Sequence, residues 1–231
     1  RNRMHDLSTR YALLTQLPLF RGVSSTELLG WEDALKLFPD ELPASHIPLI
    51  RQGEHCSHLL FLVEGELHRE HCSAEGNYTL HSYIQAPAVI EADRLFGLTP
   101  TYKHTYTAKS DIKILAIRKT FIGSHLMKND VFRLNLLNLL SATAQKRDAA
   151  LRPLQLNNPE DRLRLFLERV FVDCDGEVEI HILMDDLARY IGETRLTVSR
   201  LLNRWQEEEL IRLGRGKFVI HDIRKCILSR P

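Results

Sequence analysis

Between Thr194 and Arg204 the chain sets Thr194, Arg195, Ser199, Arg200 and Arg204 around an apolar group of Val198, Leu201, Leu202 and Trp205. Apolar residues at those intervals form one stripe of a helix, so the cationic and hydroxyl side chains fall on its other side. Arginine can donate to guanine O6 and N7 together, and serine or threonine can contact bases or phosphates. The chemistry on offer is recognition of a duplex groove. The segment LIRLGRGKFVIHD then adds Arg212, Arg215 and Lys217 on a glycine-rich hairpin, while Glu207, Glu208 and Glu209 close the helix behind the arginines. Residues 157–231 hold 13 Lys+Arg against 14 Asp+Glu, so the cations are concentrated on two elements rather than present in excess.

Those side chains need elements to position them. Leu187, Ala188 and Ile191 predict a short helix ahead of Gly192, which can enter a tight turn, and the pair forms a helix-turn-helix. Asp185 and Asp186 sit at the start of that first helix, where negative charge is favourable, and read as capping residues. Upstream, a long helix is expected from about Asn129 to Leu151. Its residues Leu134, Leu137, Ser141, Ala144, Asp148 and Leu151 recur at alternating three- and four-residue steps. That line reads as a dimer seam, with Phe132, Leu136, Leu139 and Leu140 left to pack on the chain's own barrel; a core helix alone is the other reading. Pro153 should stop the helix, Asn157-Asn158-Pro159 should form a hinge, and a new helix should run through Leu163, Phe166, Leu167 and Val170.

The N-terminal part has a different texture. From Leu7 to about Phe38 the apolar spacing predicts two short helices around Pro18. From Pro39 to Ile117 short β-prone runs, HLLFLV, YTLHSYI and DIKILAI, alternate with turns at Gln52-Gly53-Glu54, Glu64-Gly65 and Glu75-Gly76. A compact antiparallel barrel or sandwich is expected.

Composition bounds the function. With 231 residues, 44% hydrophobic and 26% charged, and 31 Lys+Arg against 30 Asp+Glu, this is an ordinary globular chain, neither disordered nor fibrous. Cys56, Cys72, Cys174 and Cys226 are scattered, which indicates a reducing cytoplasm rather than a disulfide scaffold or zinc knuckle. No apolar run is long enough for a bilayer, and the first residues do not read as a signal peptide. No metal site is expected: His68 and His71 point to opposite faces of a strand, and His55 with His58 lacks a third ligand. His71 beside Cys72 makes no nucleophilic pair, and no hydrolase, zinc-protease or Walker motif occurs, so no enzyme is expected.

The residues from IGETRLTVSRLL to the hairpin LIRLGRGKFVIHD resemble the recognition helix and wing of the CRP/FNR family, and IRQGEHCSHLLFLVEGEL resembles its sensor strands. The resemblance implies an α+β chain: a cyclic-nucleotide-binding-like antiparallel barrel (jelly roll) over 1–127, a dimerisation helix and hinge over 128–156, and a winged helix-turn-helix over 157–231. It implies a homodimeric regulator that reads a two-fold site in double-stranded DNA and can engage RNA polymerase. The DNA-contact set is Thr194, Arg195, Leu196, Ser199, Arg200, Arg204, Arg215 and Lys217. Leu196 stands where several family members carry Glu, so contact with a thymine methyl replaces acceptance from cytosine.

The signal site departs from the family. Cyclic-nucleotide binders carry G-E-x-x-L-F and then R-[ST]-A, whereas this chain has AVIEADRLFGLTPTYKHTYTAKSD, with Glu91-Ala92 and Tyr102-Lys103-His104 in those places. The phosphate-gripping Arg is missing, and Lys103 is only a point charge. Cyclic AMP is therefore not expected as effector. The implied effector pocket is Arg69, His81, Glu91, Tyr102 and Lys103. An iron–sulfur cluster is not expected, since the first cysteine is Cys56; haem stays open given 11 histidines. The alternative function is a regulatory module of this fold acting on a protein partner.

Overall fold

The computed structural model describes residues 11–31, 34–38, 46–151 and 158–228. Leu7 of the expected first helix, Pro39 at the head of the expected strand-rich stretch, and Pro153 and Asn157 of the expected hinge lie outside the described residues. The chain divides into two compact units, residues 1–68 with 84–143, and residues 69–83 with 144–231.

In the first unit residues 11–16 are helical and a 3-10 turn follows at Pro18–Phe20. Helix α1 (Ser25–Gly30) starts on a capping box in which Ser24 Oγ accepts from the Glu27 amide and the Glu27 carboxylate accepts from the Ser24 amide. The helical spacing does not persist to Phe38. Lys36–Phe38 is extended as β1 because it pairs antiparallel with β7 (Lys113–Arg118), Leu37 opposite Leu115. Strand β2 (His58–Glu64) pairs with β7 and with β5 (Ala88–Ile90), giving the order β1-β7-β2-β5. β2 is apolar at Leu59, Phe61, Leu62 and Val63 because the unit buries it on both faces.

Gly65 joins β2 to β3 (Glu66–Cys72) at φ +88°, and a Cβ there would stand 2.1 Å from the Asp111 carbonyl oxygen. No other residue type fits both conditions. β4 (Tyr78–Gln85) returns along β3, and β6 (Thr105–Ala108) completes the strands of this part of the chain. The core is pinned by Phe20, whose ring lies 5.5 Å from Phe61 and 5.4 Å from Phe132, all three fully buried. Each such side chain contributes about 1.5–3 kcal/mol of transfer free energy. After α2 (Lys119–Ser124), Phe132 comes from α3 (Asp130–Ala150), whose first free amides are capped by Asn129: its Oδ1 accepts from the Phe132 amide at 2.8 Å.

The second unit surrounds a winged helix. Helix α4 (Pro159–Val170) starts at an Asn158 cap, and β8 (Val178–Ile182) follows. Helices α5 (Met184–Ile191) and α6 (Arg195–Glu207), then the hairpin of β9 (Ile211–Gly214) and β10 (Lys217–Ile220), and α7 (Ile223–Leu228) close it. β10 lies between β9 and β8, and β8 in turn pairs with β4 through Tyr78↔Ile182 to His81↔Glu179. Residues 69–83, expected with the N-terminal barrel, therefore group with the C-terminal unit. Leu80 is buried in the same core as Leu163, Phe171, Ile180, Trp205 and Phe218, and Tyr78 packs edge-on against Phe166 and Tyr190.

Candidate nucleic-acid interface

Leu183 is the N-cap of α5, so Asp185 and Asp186 occupy its first turn rather than the cap. Their carboxylates face arginines instead of free amides: Asp186 lies 2.5 Å from Arg189, and Asp185 3.6 Å from Arg195. The helix ends on Gly192 at φ 67°, ψ 40°, the left-handed conformation that turns the chain into α6. Thr194 caps α6, its hydroxyl accepting from the Thr197 amide at 3.2 Å. Its role in the fold is thus to fix where the recognition helix starts.

Val198, Leu201, Leu202 and Trp205 are buried, which turns the opposite side of α6 outward. Leu196, Arg200 and Arg204 are exposed there, Arg195 flanks them with a side chain 70% exposed, and Ser199 is half-buried. Asn203 lies at the middle of this face, exposed, one turn beyond Ser199 and two beyond Leu196. The sequence reading omitted it, although its spacing from those two residues was the available signal. Asparagine can pair with adenine N6 and N7.

The cations differ in their commitments. Arg204 bonds Glu160, which also accepts from Arg164 at 2.6 Å and from the Trp205 indole at 3.0 Å. Burial pushes the Glu160 carboxyl up, but the bonds from Arg164 and Trp205 outweigh it and hold the group below its ordinary range. Glu160 thereby ties α4 to α6, with Arg164 over the Trp205 ring at 4.8 Å. Lys217 lies 3.1 Å from Glu179. Arg200 and, on the wing, Arg212 and Arg215 are exposed and carry no ion pair among the described residues; Arg215 sits at the tip of the β9–β10 turn. A groove of about 570 Å³ runs beside Arg200 and Thr197 along the start of α4.

The five residues of the expected effector pocket do not line one site within either unit. In the second unit Arg69 is buried and donates to Ser82 Oγ at 2.9 Å, to the Asp173 carbonyl at 3.0 Å and to Cys174 Sγ at 2.9 Å. His81 projects the other way on the hairpin, 3.7 Å from Glu70. The first unit holds Glu91, Tyr102 and Lys103 together. Glu91, in a left-handed conformation at φ 41°, accepts from the Lys103 amide at 2.6 Å, the His104 amide at 3.1 Å and the Tyr106 hydroxyl at 2.9 Å. His104 Nδ1 lies 2.5 Å from the same carboxylate. Tyr102 is buried, its hydroxyl donating to the His58 carbonyl at 3.3 Å, and burial pushes its pKa up. Burial likewise pushes the Cys56 thiol up to about 11, with the Glu91 charge adding to it.

On the dimer line, Leu134, Leu137 and Leu151 are 57%, 51% and 65% exposed, and Ser141, Ala144 and Asp148 are exposed with them. Phe132 and Leu136 are buried on the other side of α3, and Leu139 and Leu140 pack partly against the first unit's core.

Residues 161–225 match the Crp-like helix-turn-helix domain. The catabolite activator protein of Thermus thermophilus has the same fold, with a TM-score of 0.51 at 20% identity over 92% of this chain and 99% of that one. The sensor domain of the transcriptional regulator DNR from Pseudomonas aeruginosa matches with a TM-score of 0.51 at 21% identity, covering 65% of this chain and 98% of that one. No curated protein sequence matches the chain. A helix-turn-helix with a cationic outward face and a wing, joined to a cyclic-nucleotide-binding-like β fold, defines a DNA-binding protein. Residues 161–225 are a Crp-like helix-turn-helix domain, and the chain shares its fold with the catabolite activator protein. Among the described residues no helix is long and apolar enough to cross a membrane.

Proposed function

We propose that the chain is a homodimeric, sequence-specific DNA-binding regulator whose affinity for a two-fold operator is set by a signal received in its N-terminal β domain. The outward side of α6 carries this reading: Leu196, Arg200 and Asn203, flanked by Arg195 and Ser199, present base-reading groups to solvent from a helix whose other side is locked in the core. Arg195 and Arg200 take guanine edges or phosphates, Leu196 takes a thymine methyl, and Arg215 and Lys217 take the adjoining backbone. Thr194 sets the helix start, and Arg204 contributes once it leaves Glu160.

Dimerisation rests on α3. Three leucines half or more exposed on one line, with small Ser141 and Ala144 between them, suit a second copy of the same helix at close approach. Two recognition helices about 34 Å apart then enter successive major grooves of one DNA face. RNA polymerase is the further partner such a DNA-bound dimer would engage.

Cyclic AMP is not the effector in this reading. The amides of Lys103 and His104 stand where the family cradles a cyclic phosphate, and both already donate to Glu91. The protein supplies its own anion there, and a phosphate entering would meet a carboxylate instead of an arginine. Isothermal titration with cyclic AMP and cyclic GMP should give no micromolar binding; such binding overturns this part. The main test is selection from random duplexes followed by fluorescence anisotropy at several salt concentrations. A selected site with two-fold symmetry is expected, and failure to enrich any sequence overturns the regulator reading.

A further inference from the structure

Within the second unit β4 and β8 run side by side with His81 opposite Glu179 and Thr79 opposite His181. Side chains alternate across a strand, so while Leu80 and Ile180 enter the core, His81, Glu179 and His181 share the other face. The two imidazole centroids are 4.5 Å apart at 48°, and one ligand atom from each of the three residues lies within 4.8 Å of the other two. The group is partly shielded, the side chains being 17%, 25% and 43% exposed for His81, Glu179 and His181.

We propose that His81, Glu179 and His181 form a binding site for one divalent transition-metal ion of the zinc class. Two imidazole nitrogens and one carboxylate oxygen are a donor set such ions favour over calcium or magnesium, and three protein ligands leave a position for water. Ion pairing alone accounts for the geometry less well. His181 Nε2 is bonded to the Glu179 carboxylate and Lys217 lies 3.1 Å from it, so that charge is already shared between two partners, and His81 beside them adds a further nitrogen lone pair. Glu70 on β3, 3.7 Å from His81 Nδ1, is placed to orient that ring. An ion here would pin residues 78–81 to β8 and draw Glu179 away from Lys217. The site stands apart from the regulator reading; only one consequence, a freed Lys217 for backbone contact, rests on it.

The test uses the full chain stripped with EDTA, titrated with Zn²⁺ by calorimetry and with Co²⁺ by visible absorption. One ion per chain is expected, with His81→Gln and His181→Gln each weakening Zn²⁺ binding at least about 10-fold. His221→Gln, at an exposed histidine paired with Glu177, should bind as the parent does. Thermal unfolding without metal checks that each variant folds. Absence of saturable binding by the parent chain, or a folded His81→Gln/His181→Gln double variant that binds equally well, overturns the site. DNA anisotropy on the same samples separates the two readings. A chain that binds its operator yet takes up no ion overturns the metal site alone. A chain that takes up one ion yet binds no DNA supports the site and overturns the regulator reading.

Discussion

Arg200 and Arg204 lie one turn's reach apart on α6 yet differ in what they are free to do. Arg204 is bonded to Glu160, whereas Arg200 has no ion pair among the described residues. Arg200→Ala should therefore cost roughly 1–3 kcal/mol on a selected operator if it reads a base, with specificity relaxed at that position. Anisotropy against single-base operator variants checks this. Glu91 makes a second residue-level case. Burial raises its pKa, but the bonds from His104, Lys103 and Tyr106 outweigh burial and hold the carboxyl below its ordinary range. A carboxyl lowered on folding contributes stability that is fully present above its unfolded value of about 4.3 and is lost as pH falls through the folded one. Urea unfolding should thus show the first unit weakening below about pH 4.5. Glu91→Gln should shrink that dependence and cost about 1–3 kcal/mol near neutrality.

Helix α3 and the β2–β3 turn give predictions that belong to elements rather than single contacts. The exposed leucines of α3 do not hold the first unit's core together, since Phe132 and Leu136 do that from the other side. Leu134→Glu with Leu137→Glu should leave the thermal midpoint of the β domain nearly unchanged and yield monomers by light scattering at concentrations where the parent is dimeric. Operator affinity should fall with it. At Gly65 a methyl group would collide with the Asp111 carbonyl in a left-handed backbone, so Gly65→Ala should destabilise by about 2–4 kcal/mol in chemical unfolding. Gly76, also at positive φ but facing open space, should cost only about 1–2 kcal/mol when changed to Ala.

Across the molecule a formal charge of +1 gives little general attraction to DNA. In the proposed dimer, binding depends on the outward side of α6 and the wing of both protomers. With about three phosphates neutralised per protomer, the slope of log affinity against log salt should be near −5. A slope near zero in an anisotropy series would show that the cations do not meet phosphate.

The helix-turn-helix and the strands HLLFLV, YTLHSYI and DIKILAI were legible in the order of residues, because helix and strand periodicities are local and one buried side dictates the opposite exposed one. The outward placement of Arg195, Leu196 and Arg200 followed from Val198, Leu201, Leu202 and Trp205 alone. Nothing local announces that β4 lies against β8. That pairing is a register between distant segments, selected by burial of Leu80 and Tyr78 with Ile180, Phe166 and Tyr190. It decided that His81 meets Glu179 and His181, just as other long-range contacts decided that Arg69 bonds Asp173 and Cys174 and that Glu91 takes the amides of residues 103 and 104. Amphipathic periodicity is written along the chain, whereas a site made by long-range strand pairing exists only once one register has buried the right residues.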